Sequence, residues 1–231
     1  GIKPVQLEFK EGIALNNGTQ LMTAVAALTV HDTENLIRTA EVTAALTLET
    51  LLGVSDAFNE KIHKARPHQG QATTARNIRE IISESQLIQT GEEAMKKTQR
   101  PHDPYSLRCT PQVLGAARDA IAHVKRTVEV EINSATDNPL VFPDEENCLS
   151  GGNFHGQPIS IAMDLLGIAV AMIGNISERR TARLLDEKLN NGLPAFLIPP
   201  EAKAGLNSGL MTVQYTAAAL ASENKVLAHP A

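Results

Sequence analysis

Between residues 111 and 132 the chain repeats apolar side chains at intervals of three and four, and this spacing constrains the fold more than any other feature. The positions concerned are Leu114, Ala117, Ile121, Val124 and Val128. Such spacing puts them on one face of an α-helix, and an apolar face needs other helices to cover it. We predict a helix with Pro111 in its first turn and Thr110 as its N-cap.

The composition agrees with a bundle of such helices. Hydrophobic residues make up 42% of the 231 residues, whereas aromatic residues make up only 3% and tryptophan is absent. The core must therefore be built from alanine and aliphatic side chains, which suit closely packed helices. We predict an all-α chain, a bundle of long helices joined by glycine- and proline-containing loops, with residues 1–231 forming one domain.

Glycine and proline clusters mark where the other helices begin and end. The predicted elements are a helical region over 10–52, broken at 16–20, with a second bend at 31–35 as an alternative; a shorter helix over 72–85; an irregular polar segment over 86–110; a loop over 134–158; a helix over 158–189; a loop over 191–209; and a last helix over 211–228.

The predicted 158–189 helix is apolar on most of its surface as far as Ile176. This apolar run is marginally short for a membrane span and contains Asp164 and Asn175. We therefore predict a buried helix in the middle of the bundle, and no membrane partner. Its polar end, residues 177–190, is predicted to emerge toward solvent or another subunit.

Charge and cysteine content argue against several partners and compartments. The formal net charge is -5, and no block of positive charge is available to neutralise phosphates, so we expect no nucleic-acid partner. Cys109 and Cys148 are too few for a disulfide framework and form no CxxC pair, which favours a reducing cytosol. Residues 1–12 lack the features of a signal peptide, so we expect a cytoplasmic location.

Motifs for metal, nucleophilic and nucleotide chemistry are missing from the sequence. The seven histidines form neither an HExxH pair nor a cluster with the cysteines, so we expect no metal. No GxSxG nucleophile elbow and no GxGxxG or GxxxxGK[ST] phosphate loop occurs. Hydrolase and nucleotide-binding functions are therefore disfavoured.

Three loops carry side chains suited to binding or catalysis. Asn17 offers an amide beside Gly18, although a capped helix kink also explains this pair and is favoured on this loop alone. Tyr105 and Arg108 are spaced so that one turn can aim a phenol and a guanidinium into one cavity, where they hold a carboxylate and move a proton. A surface ion pair with a packed ring is an equally good alternative. Phe154 stands in the glycine-flanked SGGNFHG, which is also typical of a tight turn with an anchoring ring.

Taken in order, these loops resemble those of the aromatic amino acid ammonia-lyase family, and most closely its bacterial histidine branch. The resemblance covers nearly the whole chain, and it is highly specific because several stretches occur in family order. They are EGIALNNGTQ (11–20), DPYSLRCTPQVLGA (103–116), NSATDNPLVF (133–142), SGGNFHGQPISIAMD (150–164), ISERR (176–180) and AAALASENKVLAHPA (217–231).

The resemblance implies a fold, a reaction and a cofactor. The family fold is a bundle of long helices, assembled as a homotetramer whose active sites take residues from more than one subunit. The reaction removes ammonia non-oxidatively from a small amino acid, here L-histidine, and leaves trans-urocanate. The family's electrophile is a methylidene-imidazolone group, MIO, which forms autocatalytically from an internal Ala-Ser-Gly.

The resemblance also implies roles for particular residues. Asn17 is expected near the electrophile and the substrate amino group, Tyr105 is expected to assist proton transfer, and Arg108 is expected to bind the substrate carboxylate. Phe154 is expected to line the site beside the cofactor. His102 stands at a substrate-binding position. A basic role for Tyr105 requires surroundings that stabilise a phenolate, which Arg108 supplies in part.

Two departures from the family pattern bear on these expectations. His102 stands where family members commonly have glutamine, so an amide is replaced by an imidazole that is able to titrate. No Ala-Ser-Gly occurs in the sequence, which ends at LAHPA before the family's downstream Gln-Glu motif. We therefore expect a central and late part of a lyase, truncated at both ends and inactive by itself.

Alternative functions stay open at this point. A phenylalanine or tyrosine ammonia-lyase, or an aminomutase, shares the same motifs. A non-catalytic helical scaffold derived from the lyase fold needs the helices but has no evident need for Asn17, Tyr105 and Arg108. The fumarase and argininosuccinate-lyase group has a similar long-helix architecture, but its Gly-Ser-containing signature loop is not found in the sequence.

Overall fold

The structure is a computed structural model, and it describes residues 1–99, 102–202 and 205–230. Within these ranges the chain is predominantly helical, which confirms the prediction of an all-α bundle. It also has one short β-hairpin. The elements are α1 Glu11–Asn16, α2 Gln20–Thr50, α3 Glu60–Ala65, α4 Gln69–Ile81, α5 Gly91–Thr98, α6 Tyr105–Arg108, α7 Thr110–Ile132, β1 Leu140–Phe142, β2 Asn147–Leu149, α8 Gln157–Leu185 and α9 Met211–Leu227. Short 3-10 turns occupy Ser55–Phe58, Pro143–Glu145 and Ala195–Leu197.

The three longest helices pack side by side, with α7 antiparallel to α2. At one end the hydroxyl of Thr19, just before α2, donates to the carboxylate of Glu131 near the end of α7, at 2.6 Å. At the other end Leu107, just before α7, packs in one cluster with Leu51, just after α2. The helix α8 runs parallel to α2, because its first turn packs near the start of α2 and its last turn packs near the end of α2.

The core consists of two apolar clusters along these helices. The larger cluster joins α2, α7 and α8, and the five positions predicted from the spacing on α7 are all buried in it. The smaller cluster lies at the C-terminal end of α2 and includes Leu48, Leu51, Phe58, Ile78 and Leu107. The prediction of a helix face covered by other helices is therefore confirmed.

The helix α4 lies directly on the N-terminal half of α7 because both helices have a glycine at the crossing. A Cβ atom at Gly70 would collide with the carbonyl oxygen of Gly115, and a Cβ atom at Gly115 would collide with the backbone of Gln71. The amide of Gly70 also donates to Oδ1 of Asp119 at 2.7 Å. Larger residues here would force the two helices apart.

A buried carboxylate joins α2, α4 and α7. Glu41 of α2 accepts hydrogen bonds from Thr74 Oγ1 at 2.8 Å and from Asn77 Nδ2 at 2.8 Å, both on α4. Arg118 Nη2 of α7 donates to the same carboxylate at 2.6 Å. The Glu41 side chain is only 4% exposed. A buried charge is tolerated when it is paired and hydrogen-bonded, as it is here.

Two predicted details of the helix boundaries are wrong. The break at 16–20 is present, but α2 runs unbroken through 31–35, because Thr33 bonds back to the carbonyl of Thr29 at 2.7 Å and Glu34 pairs with Lys125 of α7 at 2.9 Å. Thr110 is not an N-cap but the first residue of α7. The preceding helix α6 ends only one residue earlier, so Cys109 takes the cap position and its carbonyl accepts from Val113 N.

The polar segments contain more regular structure than predicted. The helix α5 lies in the segment predicted to be irregular, and a capping box between Thr90 and Glu93 begins it. The hairpin of β1 and β2 lies in the predicted 134–158 loop. The last helix, by contrast, lies close to its predicted position.

The polar end of α8 is predicted to emerge toward solvent or another subunit, but two of its charged side chains are buried within the chain. Arg180 is 2% exposed and Glu178 is 8% exposed. Arg180 follows Ile173 and Ile176 by seven and four positions, so it continues their buried stripe. Burial lowers the pKa of Arg180 to about 10. Burial of a guanidinium here follows from the helical period rather than from local polarity.

By length and composition, α8 is the one described helix that is able to cross a membrane. Its inward stripe, which includes Ala162, Leu166 and Ile173, packs against α2 and α7. Packing within the bundle therefore explains a large part of its apolar character. Ile161 and Met172 face outward and are exposed in the single chain.

The Glu41 contacts generate a stability prediction. We expect Glu41→Gln to lower the free energy of unfolding by about 3 kcal/mol, because Arg118 then keeps a partly buried charge without a carboxylate. The matched control is Glu34→Gln, which breaks the more exposed pair with Lys125 and is expected to cost less than about 1 kcal/mol. Urea unfolding of the three proteins measures both effects, and equal losses would contradict this role for Glu41.

Candidate active site

The short helix α6 presents Tyr105 and Arg108 from a turn with two anchors. The Leu107 side chain is 2% exposed and packs into the smaller core cluster. The Asp103 carboxylate, two residues before the helix, accepts a hydrogen bond from the Val54 amide at 2.7 Å. Both anchors hold α6 against the C-terminal end of α2.

The phenol and the guanidinium lie against each other. The Arg108 guanidinium carbon is 4.8 Å from the centre of the Tyr105 ring, which is a cation–π distance. Tyr105 is 71% exposed. The Nε atom of Arg108 is buried and has no hydrogen-bond partner within the described ranges. The surface ion pair considered for this motif is not observed in the described part of the chain, and the guanidinium retains donors for a ligand.

A cleft of about 730 Å³ opens beside α6. Its lining includes His102, Asp103, Tyr105 and Arg108, and also Arg183 from α8 and Asn191 from the turn that follows α8. Burial raises the pKa of Asp103, while the Val54 amide and the nearby Arg183, His102 and Arg108 act in the opposite direction. Two guanidinium groups and one carboxylate leave the lining positively charged, which suits a carboxylate ligand.

Asn17 lies in a tightly held turn between α1 and α2. Gly18 has a φ of 156°, and a Cβ atom there would lie 2.7 Å from the carbonyl oxygen of Thr136. The Asp137 carboxylate next to this turn bonds to Lys10 and lies within reach of the Asn17 amide. The lysine bond is the largest influence that lowers the pKa of Asp137. Asn17 therefore caps the end of α1 at the break between two helices, as the simpler interpretation of the sequence predicts, and the residue is half-buried.

Phe154 lies on the loop between β2 and α8, and its side chain is 40% exposed. The backbone closes a turn here, because His155 N donates to Gly152 O at 3.0 Å. Asn153 Nδ2 donates to Ala135 O at 3.3 Å, which attaches the loop to the segment that also supports the Asn17 turn. The half-exposed ring is not an anchor in the core.

The candidate residues fall into two groups at opposite ends of the bundle. Asn17 and Phe154 lie near the end of α7, whereas His102, Tyr105 and Arg108 lie just before its beginning. The 23 residues of α7 span about 34 Å at 1.5 Å per residue. The fold of one chain therefore keeps the two groups apart.

Sequence reasoning missed four polar residues of the cleft, which are Gln89, Asp103, Arg183 and Asn191. Asp103 is part of the motif that contains Tyr105, so its position was a readable signal. Arg183 and Asn191 are distant in sequence from that motif, and only the packing of α8 brings them to α6. No group of three or more potential metal-ligating side chains is found within the described residues. Cys109 and Cys148 are free thiols.

Comparison with known proteins gives a consistent result. The sequence profile described as "Aromatic amino acid lyase" matches residues 1–231. The histidine ammonia-lyase of Alkaliphilus metalliredigens is 54% identical over 231 residues, which is 100% of this chain and 44% of that protein. The chain thus spans less than half the length of this curated relative.

Solved structures resemble the chain over nearly all of its length. The histidine ammonia-lyase of Trypanosoma cruzi gives a TM-score of 0.87 at 43% identity, over 100% of this chain and 41% of that one. The tyrosine aminomutase of Streptomyces globisporus gives a TM-score of 0.93 at 39% identity, over 97% of this chain and 45% of that one. The helical bundle is thus the fold of these enzymes, and the chain belongs to the aromatic amino acid lyase family.

Proposed function

We propose that the full-length protein that carries this chain is a histidine ammonia-lyase, which converts L-histidine to trans-urocanate and ammonia. The observation that carries the proposal is the cleft beside α6, where Tyr105 and Arg108 are held together within a positively charged lining. Among the solved structures, the 43% identity to the histidine ammonia-lyase, against 39% to the tyrosine aminomutase, favours histidine as the substrate.

Arg108 is proposed to bind the substrate carboxylate, because a guanidinium forms two parallel hydrogen bonds with a carboxylate. Its buried Nε atom, which lacks a partner in the described ranges, agrees with a ligand at this point. Tyr105 is proposed to move a proton, since it lines the cleft and remains largely exposed. The Arg108 guanidinium carbon lies 4.8 Å from the ring centre, so a cation lies directly beside the phenol.

Asn17 and Phe154 are proposed to lie beside the electrophile in the complete active site. An amide nitrogen has two donors and the amide oxygen accepts, so Asn17 is able to contact Asp137 and still hold a second group. The residues present thus fit MIO, which supplies an electrophile for the amino-acid substrate when present. Its Ala-Ser-Gly precursor does not occur in this sequence, so we propose that the 231 residues by themselves are inactive.

A complete site is proposed to combine opposite ends of different subunits. The separation of about 34 Å along α7 prevents Asn17 and Tyr105 of one chain from reaching one small substrate. A second copy with its bundle reversed supplies the missing half. Outward apolar residues on α8 and α9, such as Ile161 and Tyr215, provide surface for such contacts. We accordingly propose a homotetramer, located in the cytoplasm, without metal, nucleic-acid or membrane partners.

An assay of the full-length protein on three amino acids tests the proposed function. We expect L-histidine to give urocanate, followed by its ultraviolet absorbance, with much slower reaction of L-phenylalanine and L-tyrosine. Preferred deamination of either of those two would instead support the related lyases, and a β-amino acid product would support an aminomutase. His102, which differs from the common family residue, makes this comparison informative. Lack of reaction with all three would support the scaffold alternative.

The proposed role of Arg108 predicts a selective kinetic defect. We expect Arg108→Lys to lower kcat/KM for L-histidine by about tenfold or more, mainly through KM, because lysine cannot form the two parallel hydrogen bonds. Arg126→Lys is the matched control, since Arg126 is exposed on α7 away from the cleft. Steady-state kinetics check the difference, and equal KM values for Arg108→Lys and the native protein would contradict carboxylate binding by Arg108.

A further inference from the structure

We propose that Asp103 is a positioning residue of the cleft, whose carboxylate fixes the location and the charge of the turn that carries Tyr105 and Arg108. This proposal rests on the proposed function, because it concerns the same cleft. Asp103 itself is assigned no contact with the reacting atoms. It acts through Tyr105 and Arg108, which lie on α6.

The contact that supports the proposal joins two segments distant in sequence. Asp103 Oδ2 accepts from the amide of Val54 at 2.7 Å, across 49 residues of chain. The receiving segment is itself held firmly, because Ser55 N donates to Gln89 O and Gln89 N donates to Gly53 O, both at 2.9 Å. Asp103 therefore ties the start of α6 to a small bridged structure at the end of α2.

The carboxylate is also the negative group among several cationic ones. Arg183 of α8 acts on it most strongly among the side chains, followed by His102 and then Arg108. Among the described residues, Tyr105 is the remaining titratable residue that lines this cleft. A carboxylate near two guanidinium groups limits their mutual repulsion and attracts Arg108, which favours a fixed position for Arg108 in the cleft.

Burial makes the ionised form of Asp103 costly for the stability of the folded protein. Burial raises its pKa above the ordinary value, so the folded protein binds the proton more tightly than the unfolded chain does. The stability from this group is therefore complete below the unfolded pKa and is lost as the pH rises through the folded pKa. At neutral pH a neutral amide is expected to give the more stable protein. A charge kept against stability is characteristic of functional sites.

Two substitutions separate the hydrogen bond from the charge. Asp103→Ala removes both, whereas Asp103→Asn keeps an oxygen that is able to accept from Val54 N and removes only the charge. Asp56→Asn is the matched control, because Asp56 is an exposed carboxylate two residues after Val54. All variants are made in the full-length protein. Hydrogen exchange at Val54 reports the contact directly and does not require activity.

For Asp103→Ala we expect faster exchange at Val54 and a fall in kcat/KM for L-histidine of about 10- to 100-fold, since small displacements of positioned groups have effects of this size. For Asp103→Asn we expect hydrogen exchange at Val54 and the KM for L-histidine to lie close to the native values. We also expect a higher thermal unfolding midpoint at neutral pH, and no fall of kcat/KM on the acidic side of its pH profile. The control is expected to match the native protein.

The outcomes distinguish this proposal from the proposed function. Unchanged Val54 exchange in Asp103→Ala overturns the positioning role, whether or not the protein is active. Unchanged kcat/KM in that variant, with an active native protein, also overturns it and leaves the proposed function intact. A native protein that does not react with L-histidine overturns the proposed function, while the exchange result still decides whether Asp103 holds the turn. An acidic limb that persists in Asp103→Asn overturns the role of the Asp103 charge.

Discussion

The apolar seam between α2, α7 and α8 determines where every candidate functional side chain of this chain lies. Because α7 is antiparallel to the other two helices, its beginning meets the end of α2 and its end meets the beginning of α2. Burial of aliphatic side chains along this seam supplies the main stabilising free energy. The Glu41 carboxylate adds a directional constraint, since it is satisfied only when α4 and α7 both lie in place. This packing therefore determines the positions of the loops at each end of the bundle.

Each end of the bundle offers a different part of the proposed chemistry. The end with α6 is cationic and holds a phenol beside a guanidinium, which suits an amino-acid carboxylate and a proton transfer. The opposite end holds a half-buried amide and a half-exposed aromatic ring on loops supported by residues 134–138. Long helices make both arrangements rigid, and they also make both incomplete. The same rigidity that positions the groups prevents a single chain from joining them.

Periodic features of the fold were readable from sequence, whereas features that depend on distant contacts were not. The burial of Leu114 and Val124 follows from local spacing, and the capping box that begins α5 was visible in Thr90 and Glu93 although it was overlooked. The family motifs identified Tyr105 and Arg108 as a pair. The Asp103 contact with Val54, by contrast, joins residues 49 positions apart and has no local signal. The separation of Asn17 from Tyr105 likewise depends on the direction in which α7 packs.

The central claim is that one active site takes Asn17 from one subunit and Tyr105 from another. Complementation between two inactive full-length variants, Asn17→Ala and Tyr105→Phe, tests it most directly. When the two are unfolded and reassembled together, random assembly gives about a quarter of the sites both native residues, if the residues come from different subunits. We predict that urocanate formation returns to about that fraction of the native rate. No recovery in mixed oligomers, verified by two different affinity tags, would contradict the account.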